Sequence, residues 1–244
     1  MSTERADAAA SPLIRPYRVA DRDGVAEVCL RTAASGGDAT GVYSDDALMP
    51  EVFALPYVEF APELAFVVIA PSIPTGTAVA SLRDAQEPAG VGPGSEPGGA
   101  GDRVLGYVIG VADTRDFVKW WKREWSPGFR ARHPAPGPPT GHHPGFTEQQ
   151  LLAAGNDPER MLIAEVDAYP AHLHIDLLPE LQGRGFGRRL IDTLRTALAE
   201  RGVPAVHLGM DAANIGARAF YDRLGFHELP SSTPDAPLLG IATH

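Results

Sequence analysis

The stretch AHLHIDLLPELQGRGFGRRLIDTLRTALA, from Ala171 to Ala199, changes its hydrophobic period partway along, and that change constrains the rest of the chain. From Ala171 to Leu178 polar and apolar residues alternate. His172, His174 and Asp176 fall on one side and Leu173, Ile175 and Leu177 on the other, the period of two of a strand. Pro179 ends the run because it has no N–H to give a ladder. From Phe186 onward, Phe186, Leu190, Ile191, Leu194 and Leu198 form a stripe at helical spacing, with Arg188, Arg189, Arg195 and Glu200 off it. A buried strand, a tight turn and an amphipathic helix are predicted in succession.

The turn is Gln182-Gly183-Arg184-Gly185-Phe186-Gly187. Its glycines let the backbone turn sharply and bring N–H groups against a ligand. A helix starting there adds unpaired N–H groups and a positive dipole end, which suits phosphate. Arg184, Arg188 and Arg189 make a basic cluster in a chain whose formal net charge is −10, which points to an anionic ligand. The spacing G-x-G-x-G, late in the chain, is not the dinucleotide fingerprint, and the Gly-Lys-Ser/Thr of a phosphate loop is absent. A purely structural turn is the alternative.

Gln182, Gly185 and Gly187 resemble the Gln/Arg-x-x-Gly-x-Gly/Ala signature of the GNAT superfamily of N-acetyltransferases. A second segment, from Asn214 to Phe226, resembles that superfamily's later motif, an Asn followed by Tyr221 and then Leu224-Gly225-Phe226. Asn214 suits a helix N-cap and Gly225 a C-terminal stop, while Ala217, Phe220, Tyr221 and Leu224 share a helical face. The two motifs stand in the superfamily's order.

Elsewhere the chain reads as an ordinary soluble protein, 44% apolar and 21% charged. No apolar window is long enough for a membrane span and the first residues hold no apolar signal core, so a cytoplasmic protein is expected. Its acidity argues against nucleic acid as main partner. The single cysteine, Cys29, excludes an internal disulfide framework and reads as a small buried hydrophobe rather than a nucleophile. Residues 1–12 are expected to be a disordered tail and 13–244 a single domain. Leu13 to Val19 should be the first strand. Asp21 or Asp23 should cap a helix to about Ala34, with Val25, Val28, Cys29 and Thr32 on one face. A Gly-rich turn follows at 35–44, then a helix from about Asp45 to Phe53 and an apolar strand from Leu64 to Ala70. Residues 84–102, rich in Gly, Pro and acidic residues, set a flexible loop at 83–103, with Val104 to Ala112 as the partner strand. Phe117, Trp121 and Trp125 recur at helical spacing, either as a core-facing side or as one wall of an acceptor pocket. His133, His142 and His143 sit in a Pro/Gly-rich segment that promises no fixed metal cluster. Thr147 should cap a helix to Ala154, and Met161 to Val166 should be strand or helix. Ala205 to Met210, Glu228 to Leu229 and Leu238 to Ala242 should be closing strands.

These elements predict an α/β protein with a mixed central sheet and helices on both faces, in three layers. The superfamily fold fits it with insertions at 83–103 and 113–165. A closer resemblance rests on Arg15-Pro16-Tyr17, Gly106-Tyr107, Asp113-Thr114-Arg115-Asp116-Phe117, Trp125-Ser126-Pro127 and Tyr169-Pro170 to Asp176. Together these resemble the acetyltransferase-like C-terminal domain of animal O-GlcNAcase and its free-standing bacterial relatives. Unlike the animal members, this chain carries the full glycine turn; it has no glycosidase half.

The resemblance implies acetyl-CoA as co-substrate, CoA as product, no metal, and an unidentified amine as acceptor, a small molecule or a peptide lysine. It places the pyrophosphate on the N–H groups from Gly183 to Arg188, with Gln182 in the same turn and Arg184 and Arg188 or Arg189 near the phosphates, and the pantetheine arm along Leu177 and Leu178. Asn214 would cap its helix or contact that arm, and Ala217, Phe220 and Tyr221 would also meet the coenzyme. One strand-end N–H would polarise the thioester carbonyl. Asp176 would be the base; the alternative is a purely structural hydrogen bond or ion pair. Tyr221 would be the acid, the alternative being core packing. His174, Asp116 and Trp125, with Asp176, are the candidate acceptor contacts. A coenzyme-binding pseudoenzyme or sensor without transfer activity, and a non-catalytic interaction scaffold, are the competing functions. A monomer or homodimer is expected.

Overall fold

The computed structural model describes residues 11–70, 102–134 and 146–244. The expected tail at 1–12 and loop at 83–103 fall almost wholly outside these, as do His142 and His143.

The described chain forms β1 (Leu13–Pro16), α1 (Arg22–Thr32), α2 (Leu48–Phe53), α3 (Leu55–Phe60), β2 (Ala65–Ala70) and β3 (Arg103–Val111). Next come α4 (Thr114–Trp120), a π-helical turn (Trp121–Trp125), α5 (Ser126–Arg132) and α6 (Glu148–Asn156). The C-terminal part holds β4 (Ala171–Leu177), α7 (Phe186–Ala199), β5 (Ala205–Gly209), α8 (Ile215–Leu224), β6 (His227–Glu228) and β7 (Leu238–Ala242). Seven strands make one sheet in the order β1-β2-β3-β4-β5-β7-β6. Only β4 and β5 run parallel; every other pair is antiparallel.

Helices cover both faces. On one, α7 buries Leu190, Ile191, Leu194 and Leu198, and Leu194 lies where a Cβ on Gly110 of β3 would meet it at 3.1 Å. That absence of a side chain lets helix and sheet approach. On the other, α1 buries the face formed by Val25, Val28, Cys29 and Thr32, and Cys29 lies near the Tyr107 hydroxyl of β3. Burial pushes the Cys29 thiol pKa up, so it stays protonated and apolar in behaviour. The aromatic rings of Phe117, Trp121 and Trp125 are all buried, and the indoles donate to Gly155 O at 2.9 Å and Glu51 O at 3.1 Å. The π turn lies between the second and third of these rings.

Two elements differ from expectation. The first strand stops at Pro16 rather than Val19, because the Asp21 carboxylate accepts from Arg18 N–H at 2.7 Å and from the Arg15 guanidinium at 2.6 and 2.7 Å, turning the chain early. Met161 to Val166 is neither strand nor helix. A 3-10 turn over Pro158–Met161 opens on Asp157, and further turns close through Val166 N–H to Ile163 O and Tyr169 N–H to Glu165 O.

Candidate active site

Strand β4 pairs with β3 as far as Leu177, but with β5 only at Ala171↔Val206 and His172↔His207. Beyond His172 the parallel neighbours part. Leu178 N–H donates to Leu105 O at 2.9 Å. Backbone direction alternates along such an edge, so Ile175 and Leu177 turn their N–H and C=O toward the opening. Leu178 itself is buried and its N–H is taken. It therefore does not face the opening, whereas Ile175, which the period of two had marked only as core, lines it.

A cleft of about 620 Å³ fills this opening. Ile175, Asp176 and Leu177 form its floor. Gln182, Gly183, Gly185, Gly187 and Arg188 form one end, and Asn214, Ala217, Phe220 and Tyr221 of the α8 region form the far wall. Thr32, Ser35 and Gly36 close it from the end of α1. Sequence spacing gave no reason to bring those three residues here; the glycine-rich composition after Thr32 was the sole signal.

The turn is built as its glycines require. Gly183 and Gly185 have φ of 71° and 82°, the left-handed region where a side chain is strained. Arg184 N–H reaches Leu181 O and Arg189 N–H reaches Gly185 O. The N–H groups of Gly183, Gly185, Phe186, Gly187 and Arg188 are left without an acceptor among the described residues. They are what a helix start offers an anion. Gly187 has a packing reason: a Cβ there would meet the Phe220 ring at 2.9 Å. Of the basic cluster, only Arg188 lines the cleft, donating to Arg223 O at 3.1 Å. Arg184 and Arg189 instead place their guanidinium groups 5.9 and 5.1 Å from the Phe186 ring, which is buried beneath them.

Asn214 caps α8, its Oδ1 accepting from Ala217 N–H at 3.0 Å, and Gly225 ends the helix with φ of 90°. Ser35, one residue from Gly36 at the cleft, holds φ of 50° and donates to Asp211 Oδ2 at 2.6 Å, tying the loop after α1 to the loop before α8.

Asp176 receives a hydrogen bond of 2.5 Å from Tyr107 Oη. Burial nevertheless holds its carboxyl above the ordinary aspartate range, against the opposing hydrogen bonds from Tyr107 and Thr32. Burial, and then the nearby Asp176 charge, raise the Tyr221 phenol, so it keeps its proton at neutral pH. A carboxyl shifted up and a phenol held protonated thus face one cleft.

The remaining acceptor candidates lie elsewhere. Asp116 is on the exposed side of α4, paired with Lys119 at 3.0 Å. Trp125 is core, beside the Arg132 guanidinium. Neither lines the cleft. His174 is likewise not part of the cleft lining; it is next to Asp176 on the same side of β4, and its ring packs on Tyr57 and Phe53 at 4.9 and 5.7 Å. Among the described residues no group of three or more His, Cys, Asp or Glu is placed to hold a metal ion, and no helix is long and apolar enough to cross a membrane.

Residues 115–226 match the model of the acetyltransferase (GNAT) family. A crystal structure of a protein named SsHAT is 44% identical, covering 96% of this chain and 100% of that one with a TM-score of 0.75. The ribosomal protein bS18-alanine N-acetyltransferase of Salmonella typhimurium is 44% identical over 50 residues, 20% of this chain. The chain thus spans about a third, 34%, of that relative's length. The PaiA N-acetyltransferase of Thermoplasma acidophilum, solved with coenzyme A, shares the fold at 12% identity and a TM-score of 0.51, with 96% and 99% of the two chains covered. Because the family match takes in the turn, β5 and α8 together, and SsHAT is similar along its whole length, this chain belongs to the acetyltransferase (GNAT) family.

Proposed function

We propose that the protein transfers the acetyl group of acetyl-CoA to the nitrogen of an amine. The carrying observation is the coincidence, in one cleft, of the unpaired N–H groups of Gly183, Gly185, Gly187 and Arg188 with the edge of β4 that β5 leaves free and the Asp176–Tyr221 pair. Gln182, Gly183, Gly185, Gly187 and Arg188 would hold the pyrophosphate end. Ile175 and Leu177 would hold the pantetheine amides, with Asn214, Ala217 and Phe220 opposite. Acetyl-CoA supplies the activated acetyl group. The protein's own groups then act on either side of it. Leu177 N–H receives the thioester carbonyl oxygen as negative charge develops there. Asp176 takes the proton that the amine loses as its nitrogen bonds the carbonyl carbon. As the C–S bond breaks, Tyr221 Oη gives its proton to the departing thiolate sulfur, and is reprotonated from Asp176 through solvent.

The acceptor is unidentified; the bS18 relative, whose acceptor is an alanine, supports a nitrogen. The resemblance to the free-standing relatives of the O-GlcNAcase C-terminal domain belongs to this proposal, and its motif residues have identifiable structural partners. Arg15 pairs Asp21, Tyr107 pairs Asp176, and Asp113 caps α4 by accepting from Arg115 and Asp116 N–H. In this reading residues 13–244 act as one domain, in the cytoplasm.

Calorimetric titration with acetyl-CoA and with CoA tests the site, binding of both being the expected outcome. The variant Tyr221→Phe is expected to leave acetyl-CoA affinity unchanged and to lower turnover on any accepted amine about 10²-fold. Unchanged turnover would remove the acid assignment, and absence of coenzyme binding in the native protein would remove the function.

A further inference from the structure

A file of buried polar groups runs between α3, α4 and β4, and one atom fixes its direction. Thr114 Oγ1 lies 2.8 Å from Pro170 O and 2.8 Å from His172 Nδ1. A carbonyl oxygen can only accept, so the hydroxyl proton goes to Pro170 O and Thr114 Oγ1 accepts from His172 Nδ1–H. His172 is buried and neutral, so its Nε2 is the acceptor end. The Tyr57 hydroxyl, 2.9 Å away, donates to it in preference to the Met161 sulfur at 3.5 Å, a weak acceptor. That uses the one Tyr57 proton, and Tyr57 Oη must then accept from His174 Nε2–H at 3.0 Å. Burial and the neighbouring Arg160 push His174 down to about 3, which keeps it neutral. A neutral imidazole protonated at Nε2 carries its lone pair at Nδ1. His174 Nδ1 takes no partner among the described residues and is not sealed from solvent. His174 precedes Asp176 by two on the same side of β4, where neighbours on a strand face are within reach of one small group.

We propose that His174 Nδ1 and the Asp176 carboxylate together grip the two N–H bonds of a primary amine acceptor, with Tyr57, His172 and Thr114 as positioning residues. The inference rests on the transferase reading and assigns the residues that hold its acceptor. A neutral primary amine has two N–H bonds and one lone pair. One N–H goes to His174 Nδ1, the second to Asp176, and the lone pair is left aimed at the thioester carbon. A secondary amine or an alcohol has one such hydrogen and must forfeit one of the two contacts. Beside His174 stand Phe53, edge-on at 5.7 Å, and Phe146, 5.4 Å from Phe53 and 44% exposed. They offer an aromatic wall to the apolar body of the amine.

The test is nitrogen NMR on the CoA-loaded, histidine-labelled protein, titrated with phenethylamine and, separately, N-methylphenethylamine. The native protein is expected to show His174 protonated at Nε2 alone, with its Nδ1 resonance moving on addition of phenethylamine and less with the N-methyl compound. An Nδ1–H tautomer, an imidazolium at neutral pH, or an Nδ1 resonance indifferent to phenethylamine would overturn the proposal. Tyr57→Phe is expected to free the His174 tautomer and to raise KM for phenethylamine about tenfold, leaving kcat and acetyl-CoA affinity unchanged. Equal losses in kcat and KM, or none, would assign Tyr57 to packing alone. Thr114→Val should act in the same sense from the far end of the file. Calorimetry with acetyl-CoA on the same sample separates the two levels. Intact coenzyme binding with an indifferent His174 defeats this inference only, whereas lost coenzyme binding defeats the transferase reading beneath it.

Discussion

Asp176 stands between opposing influences, and burial outweighs the two hydroxyls that stabilise its charge. A carboxyl with its pKa raised holds a proton at pH values where a free aspartate has lost it. As a base it must be ionised, so the rate should climb with pH along a limb lying above the ordinary aspartate range. In Asp176→Asn that limb should vanish from the pH dependence of kcat/KM, with activity falling about 10²- to 10³-fold. The stability effect has the opposite sense. A raised carboxyl pKa adds stability below the unfolded value that is lost as pH rises through the folded one, so at neutral pH the charge is a burden. Asp176→Asn should therefore melt at a higher temperature than the native protein at pH 7 to 8. A variant both less stable and still active would contradict both roles. At Gly187 the question is steric. An alanine there meets the Phe220 ring at 2.9 Å, so Gly187→Ala should loosen α8 from α7, lower stability by about 1–2 kcal/mol and weaken acetyl-CoA binding, read by melting and calorimetry.

The turn between β4 and α7 is where element and residue meet. Gly185 has open space around its missing Cβ but a φ of 82°, so Gly185→Ala costs backbone strain alone, about 1–2 kcal/mol. It should weaken coenzyme binding more than it slows bound-state turnover, a distinction that titration against single-turnover rates would make. This element, together with the Asn214–Gly225 helix, could be read from residues because each boundary has a local cause: Pro179 without an N–H, glycines at positive φ, an Asn side chain reaching a helix start. Parts of the chain whose causes are distant could not. The early stop of β1 depends on Asp21 capturing Arg15 and Arg18. The irregular path from Met161 to Val166 follows burial of Met161 and Val166 with Leu162 left 39% exposed, a spacing too short for either period to decide. Helical spacing marked Phe117, Trp121 and Trp125 as one face without saying what it packs on, which is why Trp125 could be read as a pocket wall. Thr32, Ser35 and Gly36 reach the cleft through tertiary packing, as does the file ending at His174.

For the molecule as a whole, the buried histidines set its response to acid. Burial lowers His172, His174 and His207, so each binds fewer protons folded than unfolded. For such a group stability is complete above the unfolded histidine value and is lost as pH falls below it toward the folded value. His174, at about 3, should alone withdraw about 2 kcal/mol between pH 7 and pH 5. Denaturant melts across that range would check it; a flat profile would mean that these rings are not held neutral. A last consequence belongs to the parting of β4 from β5 after two paired residues. The gap exposes, in the middle of a sheet, a row of backbone donors and acceptors of the kind that recruits stray chains at sheet margins. A ligand whose amides lie along β4 would serve as a surrogate strand, so the same contact that positions a reactant would also shield the protein from self-association. Storage with CoA should slow aggregation beyond what its gain in melting temperature accounts for.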